Sequence, residues 1–160
     1  MKYITINNFI HPTPFSSIRD TINGDTFFWF YNEYINTKPC EYYKFTNEII
    51  KDSNITSNFF INYVHMIKPV LEKLQLKKIH SVRFNLFVKD NKPQKHIINN
   101  HKKKSKVAIL FTSTSDGGLE IDKNFIESIE NKLVFFNNMQ YKIITPTKNK
   151  IFTYVVINYD

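Results

Sequence analysis

His96 and His101 stand in the stretch KHIINNHKKKSKVAILF (residues 95–111), beside a lysine cluster and ahead of an apolar run. Imidazole is a common ligand of divalent transition metals, so paired histidines beside a strand raise the question of a metal site. Their spacing opposes one. Five residues along a strand reverses the side, so an irregular loop would be needed to bring the two rings together. Lys95, Lys102, Lys103 and Lys104 would also repel a dication. His80 or Asp116 are the remaining side chains that could complete such a site. The expectation is of exposed polar histidines and no metal.

Other residues invite functional readings, each beside a plainer one. Lys95, Lys102, Lys103, Lys104 and Lys106 could form a phosphate-contacting lip, aided by Lys92, whose affinity would fall steeply with salt. A solvated loop that discourages edge pairing is the expected reading. The run Phe27-Phe28-Trp29-Phe30-Tyr31 could stack bases. Five consecutive aromatics must face both sides of a strand, however, so core and sheet packing is the expected use. Asp116-Gly117-Gly118 reads as a tight turn, because no phosphate-loop continuation follows. Cys40 has no partner pattern for nucleophilic catalysis, and Ser57 is a helix cap.

The elements that must position these residues are legible from pattern. The chain has 160 residues, 42% hydrophobic, with 15 Phe, 9 Tyr and 1 Trp, which suits one domain over 1–160. Strands are expected at Tyr3–Ile6, Phe27–Tyr31 and Tyr42–Thr46. A short helix capped by Thr13, with Pro14 in its first turn, closes at Gly24. A long helix follows Ser57, with Phe60, Val64, Ile67, Leu71 and Leu74 at helical spacing; Pro69 should kink or break it. From Lys78 the period becomes two. HSVRFNLFV sets Val82, Phe84 and Leu86 against Ser81, Arg83 and Asn85, as a half-buried strand would. KVAILFT, GLEI, NFIESI, KLVFFN, YKIIT and IFTYVVIN continue the series. Turns are expected at Ser115–Gly118 and at Phe136–Asn138. The fold class is mainly β with N-terminal helices: a jelly roll of about eight strands at 78–160, buttressed by 1–77.

The formal charge is +8, from 22 Lys and Arg against 14 acids, and only Arg19 and Arg83 are arginines. Such a charge attracts polyanions, though specific readers lean on arginine. A single cysteine excludes an internal disulfide. No signal peptide or membrane-spanning run is evident, so a soluble protein of a host cytoplasm or a virion is expected.

The order of elements resembles the short 2-oxoglutarate- and iron(II)-dependent oxygenase-like proteins common in tailed-phage genomes. The resemblance is carried by FFWFYNEYIN (27–36), IKPVLEKLQLKKIHSVRFNLFV (67–88), KVAILFTSTSDGGLEI (106–121), NKLVFFNN (131–138) and TYVVINYD (153–160). It implies a double-stranded β-helix in which active members hold iron through a His-x-Asp/Glu pair on the second core strand and a distal His near the seventh. An Arg near the eighth clamps 2-oxoglutarate. Carried onto this sequence, the pair falls near Ile98 and Asn100, the distal His at Lys142 and the Arg at Phe152. No Asp or Glu lies between Asp90 and Asp116, no His follows His101, and no Arg follows Arg83. The resemblance therefore implies a non-catalytic member acting as a binding or structural module, with neither iron nor 2-oxoglutarate expected. A divergent oxygenase with non-standard ligands and a basic nucleic-acid-associated protein are the alternatives. A protein partner or self-association is expected, nucleic acid is possible, and no membrane is.

Overall fold

The computed structural model describes residues 3–32, 44–98, 105–137 and 139–160, and the backbone alone at 34–35 and 38–39. Strands are β1 (Tyr3–Ile6), β2 (Phe30–Tyr31), β3 (Tyr34–Ile35), β4 (Lys38–Pro39), β5 (Lys44–Lys51), β6 (Asn54–Ile55) and β7 (Ile79–Val88). They continue as β8 (Lys95–Ile98), β9 (Lys106–Phe111), β10 (Ser115–Ile121), β11 (Asn124–Ser128), β12 (Leu133–Asn137), β13 (Tyr141–Ile144) and β14 (Ile151–Tyr159). Two helices, α1 (Pro12–Ile22) and α2 (Ile61–Leu74), precede the run from β7 onward.

A major sheet runs in the order β1-β12-β9-β14-β7-β5-β2, with β6 on β5, and a minor sheet in the order β11-β10-β13-β8. All pairings are antiparallel, and the two sheets face each other as a jelly roll. Strand alternation splits the major sheet's side chains between two cores. On one side Val82, Phe84, Leu110, Leu133, Val155 and Ile157 pack with Ile18, Ile22, Ile67 and Val70 of the helices. On the other, Phe87, Ile109, Phe111, Phe136, Phe152 and Tyr154 meet Leu119, Ile121, Ile126, Tyr141 and Ile143 of the minor sheet.

Local details depart from the sequence expectations in instructive ways. α1 starts two residues earlier than a Thr13 cap requires: His11 is the N-cap, its Nδ1 accepting the Thr13 N–H at 3.4 Å. Ser57 does cap, its Oγ accepting the Phe59 N–H at 3.2 Å over a short 3₁₀ turn that leads into α2. α2 passes through Pro69 unbroken, because buried Ile67 and Val70 on either side of it anchor the helix to the sheet. Of the Phe27–Tyr31 strand, only Phe30–Tyr31 pairs, and Lys44–Lys51 replaces the strand expected at Tyr42–Thr46. Phe27 is core, whereas Phe28 and Phe30 are exposed. The Ser115–Gly118 turn is overturned: these residues belong to β10, where a bulge between Ser115 and Gly118 absorbs the irregularity. Gly118 is required there, since a Cβ would sit 2.3 Å from the Ile126 carbonyl oxygen. Tyr42, Tyr43, Cys40 and Asn138 lie outside the described residues.

Candidate functional site: the barrel interior

The interior face of the jelly roll can be assembled strand by strand. On β7 the barrel-facing set is Arg83, Asn85 and Phe87, the parity opposite to Val82 and Phe84. This corrects the sequence expectation that Ser81, Arg83 and Asn85 form a solvent face. Both faces of β7 are covered, and Asn85 is 1% exposed. β14 runs antiparallel beside it, with Phe152 opposite Phe87, Tyr154 opposite Asn85 and Val156 opposite Arg83. Aromatic rings fill this wall. Phe152 and Tyr154 have centroids 4.9 Å apart, and Phe152 lies 5.9 Å from Phe111.

The four positions that the resemblance singled out take different fates. Ile98, on β8, packs against the interior core. Asn100 lies outside the described residues, as do His101, Lys102, Lys103 and Lys104. Lys142 does not face the barrel: it pairs with Glu120 on the outer face of the minor sheet, and Lys95 reaches the same carboxylate at 2.9 Å. The lysine bonds from Lys142 and Lys95 hold Glu120 below the usual carboxylate range. Barrel-facing neighbours of Lys142 are Tyr141, opposite Ile98, and Ile143, opposite His96. Phe152 is fully buried. Gly117 admits its ring, since a Cβ there would meet Phe152 at 3.2 Å.

The expectation of an exposed His96 is overturned. Its ring stacks on Phe87, with centroids 5.4 Å apart, because its register on β8 points it inward beside Ile98. Burial lowers its pKa first, the nearby Lys44 lowers it further, and Asp90 opposes both. Lys44 is itself buried, its Nζ 5.9 Å above the Phe87 ring. The other proposed metal donors are used elsewhere. His80 Nε2 bonds Asp160 at 2.7 Å. Asp116 accepts from Thr147 N, Thr147 Oγ1, Lys148 N and Asn149 N at 2.8–3.0 Å, fixing the turn before β14. Burial alone would raise the Asp116 pKa, but these hydrogen bonds outweigh it and hold the carboxyl far below the usual range. Among the described residues no group of three His, Cys, Asp or Glu side chains converges.

Tyr141 and Tyr154, missed in the sequence, are the interior's phenols, and both are nearly fully buried. Burial raises the Tyr141 hydroxyl to about 12 and lifts Tyr154 well above its ordinary value; the positive charge of Arg83 pulls each partly back. The signal was available: Arg83, Asn85 and Phe87 share one parity, and so do Phe152, Tyr154 and Val156.

Neither a family model nor a curated protein sequence matches the chain. Solved structures do match. A 2OG-Fe(II) oxygenase-family oxidoreductase from Burkholderia pseudomallei aligns at TM-score 0.66 and 8% identity, over 99% of this chain and 85% of that one. A prolyl hydroxylase from Trichoplax adhaerens aligns at TM-score 0.65 and 9% identity, over 99% and 83%. A Pseudomonas putida prolyl-4-hydroxylase gives 0.60 and 9%, over 99% and 92%. The fold is therefore the 2-oxoglutarate oxygenase jelly roll. More narrowly, it is similar to the prolyl-hydroxylase-like form of that jelly roll.

Iron and 2-oxoglutarate are what this fold implies, and the residues described here do not fit them. Iron(II) in such sites takes two imidazoles and a carboxylate on one face. Among the described residues the interior offers Ile98, Tyr141, Ile143 and one inward histidine, His96. Phe152, which the resemblance sets against the co-substrate arginine, is a fully buried ring.

Proposed function

We propose that the chain is a jelly-roll binding module that keeps the architecture of 2-oxoglutarate oxygenases without their oxidative chemistry, in a phage or its bacterial host. One observation supports this: Phe152, the residue that the resemblance sets against the co-substrate arginine, is wholly buried and packed on Phe87, Phe111 and Tyr154. Sheet-on-sheet packing sustains such a fold without a metal, which leaves its surfaces and interior free for other ligands. The test is turnover: purified protein supplied with iron(II), ascorbate and 2-oxoglutarate should release no succinate above a protein-free control. Stoichiometric or catalytic succinate formation would return the chain to the oxygenases.

A protein partner, including a second copy, fits the exposed aromatic edge better than nucleic acid fits the lysines. Phe28 and Phe59 stand exposed with centroids 4.9 Å apart, and Phe30 lies on the edge strand β2. Lys95 is held by Glu120, and the Lys106 ammonium sits 5.9 Å over the Tyr159 ring. Sizing chromatography should therefore show self-association or partner capture, and binding to single- or double-stranded DNA should be absent at low salt. Tight DNA binding that weakens steeply with salt would reverse this preference.

A further inference from the structure

Arg83 is what the lost oxygenase chemistry leaves unexplained. Its side chain enters the barrel from β7, and its Nε is buried with no hydrogen-bond partner. Glu48 stands opposite on β5, yet no ion pair joins the two. The protein's other arginine, Arg19, is by contrast bonded through Nε to Asp20 at 2.9 Å and through Nη1 to Glu130 at 3.5 Å. A guanidinium carries five donors in a planar fork and keeps its charge at every physiological pH. Left unpaired in a jelly roll interior, it is costly. The wall beside it, across β14, carries Tyr154 one pair along, opposite Asn85. Tyr141 faces the same interior from the minor sheet, and the charge of Arg83 acts on both phenols. Arg83 and the two phenols thus share the barrel interior, with the Glu48 carboxylate cross-strand from Arg83 but not paired with it.

We propose that Arg83, with the hydroxyls of Tyr141 and Tyr154, binds one small oxyanion inside the barrel, either an organic carboxylate or inorganic phosphate. The proposal rests on the binding-module reading and names the class of ligand. The fork of Arg83 suits two oxygens of one anion, and each phenol adds a neutral donor. The anchor comes from β7, whereas the co-substrate arginine of the fold would come from β14 at Phe152. Lys44 lies further along the barrel, its ammonium over the Phe87 ring, and adds positive potential there.

The experiment uses the full chain at constant ionic strength, titrated separately with succinate and with inorganic phosphate against sodium chloride. Because only two arginines are present, the Nε–H region of a nitrogen–proton NMR spectrum holds two side-chain signals. The expected result is that one of the two moves saturably with one anion, while the Asp20-bound Arg19 signal stays. Tm should rise by about 5–10 °C at a hundredfold excess over Kd. Succinate alone acting identifies a carboxylate site, and phosphate alone a phosphate site. Arg83→Met should abolish the Tm response, and Tyr154→Phe should weaken binding by about tenfold. No saturable movement of either signal with either anion overturns the site. So does an unchanged response in Arg83→Met, which would mark an adventitious ion on surface lysines only. Iron-dependent succinate release in the same preparation would overturn the binding-module reading separately, through a readout that does not involve Arg83.

Discussion

Phe84 and Phe87 stand three residues apart on β7 and look in opposite directions. Phe84 enters the core beneath the helices, where Phe27 meets it edge-on at 5.2 Å and the buried Asn47 is its cross-strand neighbour on β5. Phe87 enters the barrel, where a histidine, a lysine and a tyrosine surround it: His96 at 5.4 Å, Lys44 at 5.9 Å and Tyr154 at 6.3 Å. The helix-side core is mostly apolar, its buried Asn47 donating to the Phe28 carbonyl. The barrel side has the same ring-on-ring packing but retains polar and charged groups that packing does not require. One strand thus presents an apolar ring to the helices and, three residues on, a ring set among charged and polar groups in the barrel.

The largest effects should come from emptying each core in turn. Phe84→Ala and Phe87→Ala should each cost about 3–5 kcal/mol in urea unfolding. A barrel side as firmly packed as the helix side predicts similar losses. A Phe87→Ala cost below about 1 kcal/mol would mean an interior that is loosely filled. Gly118→Ala, which presses a methyl on the Ile126 carbonyl, should cost about 1–3 kcal/mol. A neutral result would mean that β10 and β11 can part there easily.

Asp116→Ala removes the acceptor of four hydrogen bonds in the turn that starts β14 and should cost about 1–3 kcal/mol. Because its folded pKa is depressed, its contribution is complete above the ordinary aspartate value of about 3.9 and disappears as pH falls toward the folded value. The variant's deficit should therefore shrink below about pH 4. His96 adds a separate slope. Its folded pKa is lowered by burial and by Lys44, so stability should decline on acidification below about 6.5, and His96→Gln should flatten that decline. The smallest effect distinguishes surface from interior: Lys95→Ala removes an exposed pair with Glu120 and should change stability by less than about 1 kcal/mol.

Much of the fold was readable because period two survives where strands are long. In β9, Val107, Ile109 and Phe111 alternate with Ala108 and Leu110 across two cores. The order of core strands followed the resemblance and holds in the observed sheets. What misled was polarity taken as exposure. Arg83 and Asn85 look like a wet face, but β7 is covered by helices on one side and the minor sheet on the other. Lys142 looked inward by alignment, yet β13 alternates so that Tyr141 and Ile143 take the interior and Lys142 meets Glu120 outside. SDGG has turn composition, but its glycines serve close approaches to Ile126 and Phe152 inside a strand. His11 capping in place of Thr13 reflects a competition between neighbouring acceptors that sequence pattern does not resolve.

The most direct test of a barrel that has exchanged metal chemistry for packed rings and an anion anchor is a manganese(II) titration followed by electron paramagnetic resonance, with 2-oxoglutarate present. Manganese(II) occupies iron(II) sites of this kind without oxidising, and its free aqueous signal disappears on binding. The free signal should persist undiminished at one equivalent of protein. Its loss with a stoichiometry of one would contradict the exchange and put a metal back in the barrel.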